Sequence, residues 1–242
     1  MSRKKHAMKS WTTQQGNTIT RVLSGAGNAY FIRTDPFLML VDTGTKSSFK
    51  QLTKNLDSLL GAHERPEALV LTHSHYDHCQ NAARLKETYQ CKIVMGAEEA
   101  SYSTQGFTPL PGGTFWLTHW LTVFGNKIGP SKFGYEAFTP DLLIREDQPV
   151  DEKAPNIRAI KTQGHTRGSI SLIIDQEVAI VGDAMFGIFG NSIYPPFADD
   201  KHAIATSWSK LFQTGCRMYL PGHGRPIHRE LLQKKIDNQS IE

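Results

Sequence analysis

The stretch Ala68-Leu69-Val70-Leu71-Thr72-His73-Ser74-His75-Tyr76-Asp77-His78 decides how this chain is read. Ala68 to Thr72 has the length and apolar character of a buried strand. Four side chains able to bind metal follow it within six residues: His73, His75, Asp77 and His78. Side chains alternate on an extended segment, so His73 and His75 point the same way. Asp77 and His78 then fall where the chain turns into a helix. Imidazoles packed against a buried apolar strand need polar partners, and metal supplies one partner to several of them.

Upstream of this stretch, Thr18 to Leu23, Ala29 to Ile32 and Phe37 to Val41 are β-rich runs punctuated by Gly27 and the Asp35-Pro36 turn, and they read as an antiparallel meander. Ser47 or Ser48 can cap a helix running to about Leu60, with Phe49, Leu52, Leu56, Leu59 and Leu60 at helical spacing. Downstream, Asn81 to Tyr89 reads as helix and Lys92 to Met95 as strand, completing a β-α-β-α-β half. A second half repeats the alternation. Its strands are Ile157 to Thr162, Ser169 to Ile174, Val178 to Val181 and Met218 to Leu220, with a helix from about Asp200 to Thr214. Between the halves, Ser101 to Asp141 breaks the pattern with Pro109, Pro111, Gly112, Gly113, Gly125, Gly129 and Pro130. A connection that long is usually functional or mobile. No fixed-period repeat occurs, which excludes solenoids and propellers.

Three more segments place a metal-capable residue at the end of an apolar strand. They are Gly164-His165-Thr166, Gly182-Asp183 and Pro221-Gly222-His223-Gly224. Flanking glycines suit such positions, because they allow close backbone approach and sharp turns. Each segment alone is a weak signal, and together they are a strong one.

From Val41-Asp42-Thr43-Gly44 through the His-x-His-x-Asp-His run to His223, the chain resembles the metallo-β-lactamase-fold hydrolase superfamily. The resemblance implies an α/β fold, a four-layer αββα sandwich of two mixed β-sheets, with residues 1–242 as a single domain and 101–141 as an aromatic-rich insertion or lid. It implies a dinuclear site in which His73, His75 and His165 hold one metal, Asp77, His78 and His223 the other, and Asp183 bridges. Asp42 would orient the site without binding metal. The ligand set is similar to that of glyoxalase II-like enzymes, whose family adds a C-terminal glutathione-binding domain that this length is not expected to hold. The chain departs from the superfamily pattern at Gln80, where many relatives have glycine, and at Arg167, often proline; neither change removes a proposed ligand.

Two divalent cations, two carboxylates and a bridging hydroxide leave the first shell at roughly +1. Such a site favours a substrate that gains negative charge at the reacting centre. Metal lowers the pKa of bound water from about 15.7 towards about 7, so no Ser or Cys nucleophile is needed. The expected activity is therefore hydrolysis by a metal-bridging hydroxide, with Asp77 and Asp183 as the catalytic carboxylates. Zinc is the expected metal, and iron or manganese also accept this ligand mix. The expected substrate is an ester, lactone or thioester in a small, partly apolar molecule. Alternatives are a phosphodiesterase, a non-catalytic metal-dependent sensor, and an oxidoreductase similar to persulfide dioxygenases, which use one iron held by counterparts of His73, His165 and Asp183. Trp116 and Trp120 in the insertion, and Phe186 and Tyr194 after Asp183, are candidates to line an apolar pocket. They read equally as core or as a dimer contact.

The 242 residues carry 27 Lys and Arg against 23 Asp and Glu, a formal net charge of +4, too small and scattered to argue for nucleic acid. No apolar run has the length of a membrane span. Cys79, Cys91 and Cys216 are odd in number and widely spaced, which argues against a disulfide scaffold and for buried thiols. With no apolar core after the basic Arg3-Lys4-Lys5 start, a cytoplasmic location is expected. The partner implied is a small molecule, with no nucleic acid or membrane and with a homodimer left open. Of 10 histidines, five fall in the proposed site; His6, His63, His119, His202 and His228 read as surface or ordinary packing.

Overall fold

The computed structural model describes residues 8–239, leaving aside several side chains between 116 and 128, Trp116 among them, and that of Gln239. In chain order the first half contains β1 (Ser10–Thr12), β2 (Thr18–Leu23), β3 (Ala29–Arg33), β4 (Leu38–Val41), α1 (Phe49–Asp57), β5 (Ala68–Leu71), α2 (Tyr76–Cys79), α3 (Ala82–Tyr89) and β6 (Lys92–Gly96). Next come α4 (Ala100–Gln105), α5 (Trp116–Phe133), β7 (Leu142–Ile144) and β8 (Gln148–Pro149). The rest is β9 (Ile157–Lys161), β10 (Ile170–Ile174), β11 (Val178–Gly187), α6 (Lys201–Gln213), β12 (Met218–Gly224), β13 (Ile227–His228) and α7 (Arg229–Gln239).

Strands β1 to β7 form one seven-stranded sheet in sequence order. It is antiparallel from β1 to β4 and parallel from β4 to β7. A second, six-stranded sheet has the order β13-β12-β11-β10-β9-β8 and is antiparallel except for the β11–β12 pair. The parallel pairs need crossovers, which α1, α3, the α4–α5 segment and α6 supply.

Alternation along the strands generates the layers. On β4 and β5, Met39, Val41, Ala68 and Val70 face the second sheet and pack with Ile157, Ala159, Leu172, Ile180 and Leu220. Leu38, Leu40, Leu69 and Leu71 face the other way, onto Leu52 and Leu56 of α1 and Leu85 of α3. A third cluster lies outside the second sheet, where Trp208 and Leu211 of α6 and Leu232 of α7 cover Ala179, Val181 and Tyr219. The stacking is thus helix, sheet, sheet, helix, the four-layer αββα sandwich. Strands buried on both faces read as unbroken apolar runs, and hence Ala68 to Leu71 carries no polar residue.

Several boundaries differ from the sequence expectation. α1 ends at Asp57 rather than near Leu60, and the Ser48 side chain makes no cap; its hydroxyl donates to the Thr45 carbonyl at 2.6 Å. β11 runs on past Val181 to Gly187, because it stays paired with β12 through two register irregularities. Asp183 and His223 therefore sit within strands, not beyond their ends. The segment 101–141 is more regular than its glycines and prolines suggest, since α5 continues through Gly125, Gly129 and Pro130 for 18 residues. Phe138 and Tyr135 at its end join the core beneath α1 and α3. Among the described residues no helix is long and apolar enough to cross a membrane.

Candidate metal centre

The two sheets are stitched together along one edge. Ile170 N donates to the Thr72 carbonyl at 2.9 Å, and Asn28 N donates to the Gly222 carbonyl at 2.7 Å. That edge gathers the sequence-predicted residues. The loop after β5 carries His73 and His75, α2 carries Asp77 and His78, the β9–β10 loop carries His165, β11 carries Asp183, and β12 carries His223. Their ligand atoms form three overlapping groups, each lying within 4.8 Å: His73, His75 and His165; His73, His78 and Asp183; Asp77, His78 and His223. Asp183 reaches both sides, with Oδ2 3.5 Å from His165 Nε2 and 3.3 Å from His223 Nε2.

The partners of the imidazoles fix which nitrogen carries the proton. His75 Nε2 faces the Pro109 carbonyl at 3.2 Å and His165 Nδ1 faces the Phe197 carbonyl at 2.8 Å. Carbonyls only accept, so both nitrogens are N–H donors. The remaining nitrogens, His75 Nδ1 and His165 Nε2, then present lone pairs to each other at 2.9 Å. Asp42 sets the next two rings. Its carboxylate accepts from Thr72 Oγ1 and from His78 Nδ1, at 2.8 and 2.9 Å. Thr72 Oγ1, having donated, accepts from His73 Nδ1 at 3.1 Å. In this way His73 also turns a lone pair on Nε2 toward the cluster, and His78 directs its Nε2 at the same point. His73 Nε2 and Asp183 Oδ1 are buried without a hydrogen-bond partner. Two facing lone pairs, an orphaned imidazole nitrogen and an orphaned carboxylate oxygen fit a cation among them, and a neutral hydrogen-bond network does not explain them.

Electrostatics divides the cluster into two halves. Burial keeps His75 and His165 neutral, pushing both down to about 4, and with the neighbouring imidazoles it holds buried His73 well below its ordinary value. Burial also disfavours charge on His223, but Asp183 and Asp77 outweigh it and push His223 up to about 9; His78 is raised as well, by Asp183 and Asp42. Burial acts to raise the Asp183 and Asp77 carboxyls, but the surrounding histidines hold both below the usual carboxylate range. Three neutral donors thus sit beside two ionised carboxylates.

Packing around this arrangement is tight. A Cβ added at Gly222 would overlap Asp183 Oδ1 and His78 Cε1, so only glycine lets β12 approach so closely.

The sequence pattern of the Metallo-beta-lactamase superfamily matches residues 23–223. The chain belongs to that superfamily. Among its relatives is the "Probable metallo-hydrolase MJ0888" of Methanocaldococcus jannaschii, 24% identical over 148 residues, 61% of this chain and 62% of the relative. Another is the atrochrysone carboxyl ACP thioesterase of Aspergillus fumigatus, 24% identical over 228 residues, 93% of this chain and 58% of that one. The chain thus spans less than two thirds of the length of these curated relatives. Of solved structures, the BLEG-1 B3 metallo-beta-lactamase superposes with a TM-score of 0.67 at 18% identity, covering 94% of this chain and 97% of that one, a likeness of fold.

The candidate ligands are therefore assembled from five separate segments, and the remaining sequence candidates scatter. Phe186 stacks on the His223 ring, with centroids 4.8 Å apart and planes at 23°, and so borders the centre. Tyr194 packs edge-on against Trp208, on the outer face of the second sheet. Trp120 is 66% exposed, and the side chain of Trp116 lies outside the described residues. His63, His202 and His228 are exposed, as expected of surface residues; His6 and the side chain of His119 lie outside the described residues.

Sequence reasoning missed Asn28 and Tyr30. Asn28 Nδ2 and Tyr30 Oη donate to the Pro221 carbonyl at 2.9 and 2.7 Å, and Asn28 Nδ2 also reaches the Gly224 carbonyl at 3.2 Å. They clamp the backbone on both sides of His223. A buried Asn in a meander carries no local signal of such a distant partner.

Proposed function

We propose that this protein is a dinuclear metal hydrolase that cleaves an ester, lactone or thioester in a small, partly apolar substrate. The observation that carries this reading is the convergence of three imidazole lone pairs, two further histidines and two ionised carboxylates on one sandwich edge. His73, His75 and His165 would hold one cation, Asp77, His78 and His223 the second, and Asp183 would be shared. When bound, divalent cations, zinc first and iron or manganese as acceptable substitutes, make water ionisable near neutral pH and stabilise charge developing on a carbonyl oxygen.

The protein's own residues supply the rest. Asp77 is the more accessible carboxylate, with 17% of its side chain exposed against 5% for Asp183, and exchanges the proton needed by the leaving group. Asp183 stays ionised and buried, holding the two halves together. Phe186 gives the substrate an apolar wall beside His223 and keeps water from that side. The thioesterase relative supports a thioester among the candidate bonds. A cytoplasmic setting is supported by the three cysteines, all buried and unpaired.

A panel of chromogenic esters, lactones, thioesters and bis-phosphodiesters, assayed with metal quantitation, tests the reading. Hydrolysis within the acyl classes is the expected outcome. Turnover of phosphodiesters alone would overturn the substrate class, and oxygen consumption on a persulfide by a one-iron enzyme would overturn the reaction class.

A further inference from the structure

Behind the metal-facing side of the His73–His78 segment lies a second buried acid that no ligand pattern includes. Glu99, in the turn after β6, is 1% exposed. Its Oε2 accepts from Ser74 N at 2.9 Å and from the Ser74 hydroxyl, and its Oε1 accepts from Gly168 N at 3.0 Å. All three donors are neutral. A carboxylate this buried is costly unless its hydrogen bonds are well satisfied, and here two of the three come from backbone that cannot rotate away.

The identity of those donors matters. Ser74 lies between His73 and His75, and because side chains alternate, it points away from the cluster as the two imidazoles point into it. Gly168 lies three residues after His165, in the turn that returns the chain to β10. One carboxylate therefore joins the two loops that carry His73, His75 and His165. The packing leaves the strut no slack: a Cβ at Gly168 would overlap Glu99 Cγ and Oε1, and one at Gly96 would overlap the Gly168 carbonyl. The joint extends further. Thr108 Oγ1 donates to Ser74, and the Tyr135 hydroxyl meets Thr108 Oγ1 at 2.8 Å, so the 101–141 segment braces the same point from outside. The neighbour Glu98 has a different fate, pairing with Lys161 near the surface.

We propose that Glu99 is a positioning residue that sets the spacing of His73, His75 and His165 and thereby the affinity for the cation these three would hold. This rests on the metal-site reading above. Glu99 touches no ligand atom and acts through backbone. Outer partners that orient ligands typically contribute ~10–100-fold in metal affinity, and a strut between two loops belongs in that range.

The experiment compares the wild-type full chain with Glu99→Gln, Glu99→Asp and Gly168→Ala. Stripped protein is titrated with Zn²⁺ against a chromophoric chelator, with thermal unfolding of each metal-free protein and the visible spectrum of each Co²⁺-substituted one. Gln places an amide N–H₂ against fixed N–H or O–H donors, and Gly168→Ala displaces the carboxylate. Both are expected to weaken one class of zinc site by ~10–100-fold and to alter the cobalt bands, while the metal-free melt shows that the chains remain folded. Glu99→Asp keeps the charge on a shorter stem and should recover part of the affinity. Zinc affinity within twofold of wild type and unchanged cobalt bands in folded Glu99→Gln would overturn the proposal, leaving Glu99 a brace of the fold alone. Wild-type protein that binds no zinc would instead overturn the metal-site reading itself, so the two failures are distinguishable.

Discussion

Replacing Asp42 by Asn leaves the shape of the site nearly unchanged and reverses one hydrogen bond at its base. Asp42 lies at φ 59°, a left-handed conformation that Asn tolerates well, so little backbone strain is added. Oδ1 accepts from Thr72 N at 2.8 Å, a donor that cannot reverse, so the Asn oxygen must take that place. The amide N–H₂ then occupies the position of Oδ2, facing Thr72 Oγ1 and His78 Nδ1. Thr72 can rotate its hydroxyl to accept. His78, which the carboxylates around it favour as imidazolium, can accept only by giving up its Nδ1 proton and keeping the one on Nε2, the nitrogen 3.3 Å from Asp183 and His223. Binding a cation there forces the proton back and sets two N–H groups face to face, at the cost of ~1–3 kcal/mol for a buried unsatisfied donor. That corresponds to roughly 5–150-fold in affinity for the cation that Asp77, His78 and His223 would hold, a range that includes the usual effect of outer partners. Competitive chelator titration reads the affinity, and ¹⁵N chemical shifts of the imidazole nitrogens read the tautomer. Asp42→Asn protein with wild-type affinity at both sites and His78 still protonated on Nδ1 would refute this reasoning.

Two other outcomes are expected. Gly222→Ala drives a methyl into Asp183 Oδ1 and His78 Cε1, so it should lower activity and bound metal together by at least ~10-fold, a loss read by kinetics and elemental analysis. The third concerns stability against pH. Burial tends to raise the Asp141 carboxyl, but Lys86 and the Ile93 N–H hold it below its usual 3.8. A depressed carboxyl stabilises the fold above its ordinary pKa, and the contribution disappears as the pH falls through the lowered value. Denaturant unfolding should show Asp141→Asn less stable than wild type by ~1 kcal/mol or less at neutral pH, since the pair is about one-third exposed, with the gap closing in acid.

Those parts of the fold governed by local pattern were legible in the sequence. Met39, Val41, Ala68 and Val70 alternate with Leu38, Leu40, Leu69 and Leu71 because each set has a separate core to fill. His73, His75, Asp77 and His78 announced themselves by spacing, and His165, Asp183 and His223 by their glycines and apolar strands. Contacts between distant segments were not legible. Asn28 and Tyr30 grip the turn at Pro221 from nearly 200 positions away, and nothing near either residue encodes that grip. Glu98 and Glu99 are chemically identical neighbours, and only the turn after β6 sends one to Lys161 and the other beneath Ser74. Gly125, Gly129 and Pro130 argued for irregular backbone, yet α5 continues through all three. Helix propensity is a weak prior that tertiary packing overrides, and Gly129 lies against the ring of Phe107 where a Cβ would not fit.

A two-cation hydrolytic centre built from seven side chains on one sandwich edge requires that turnover follow metal loading. Stripped protein titrated with Zn²⁺ while hydrolysis of the best chromogenic acyl substrate is followed tests this most directly. No turnover is expected without metal, with activity rising to a plateau at two equivalents per chain. A plateau at one equivalent, or hydrolysis that persists in metal-free protein, would contradict it.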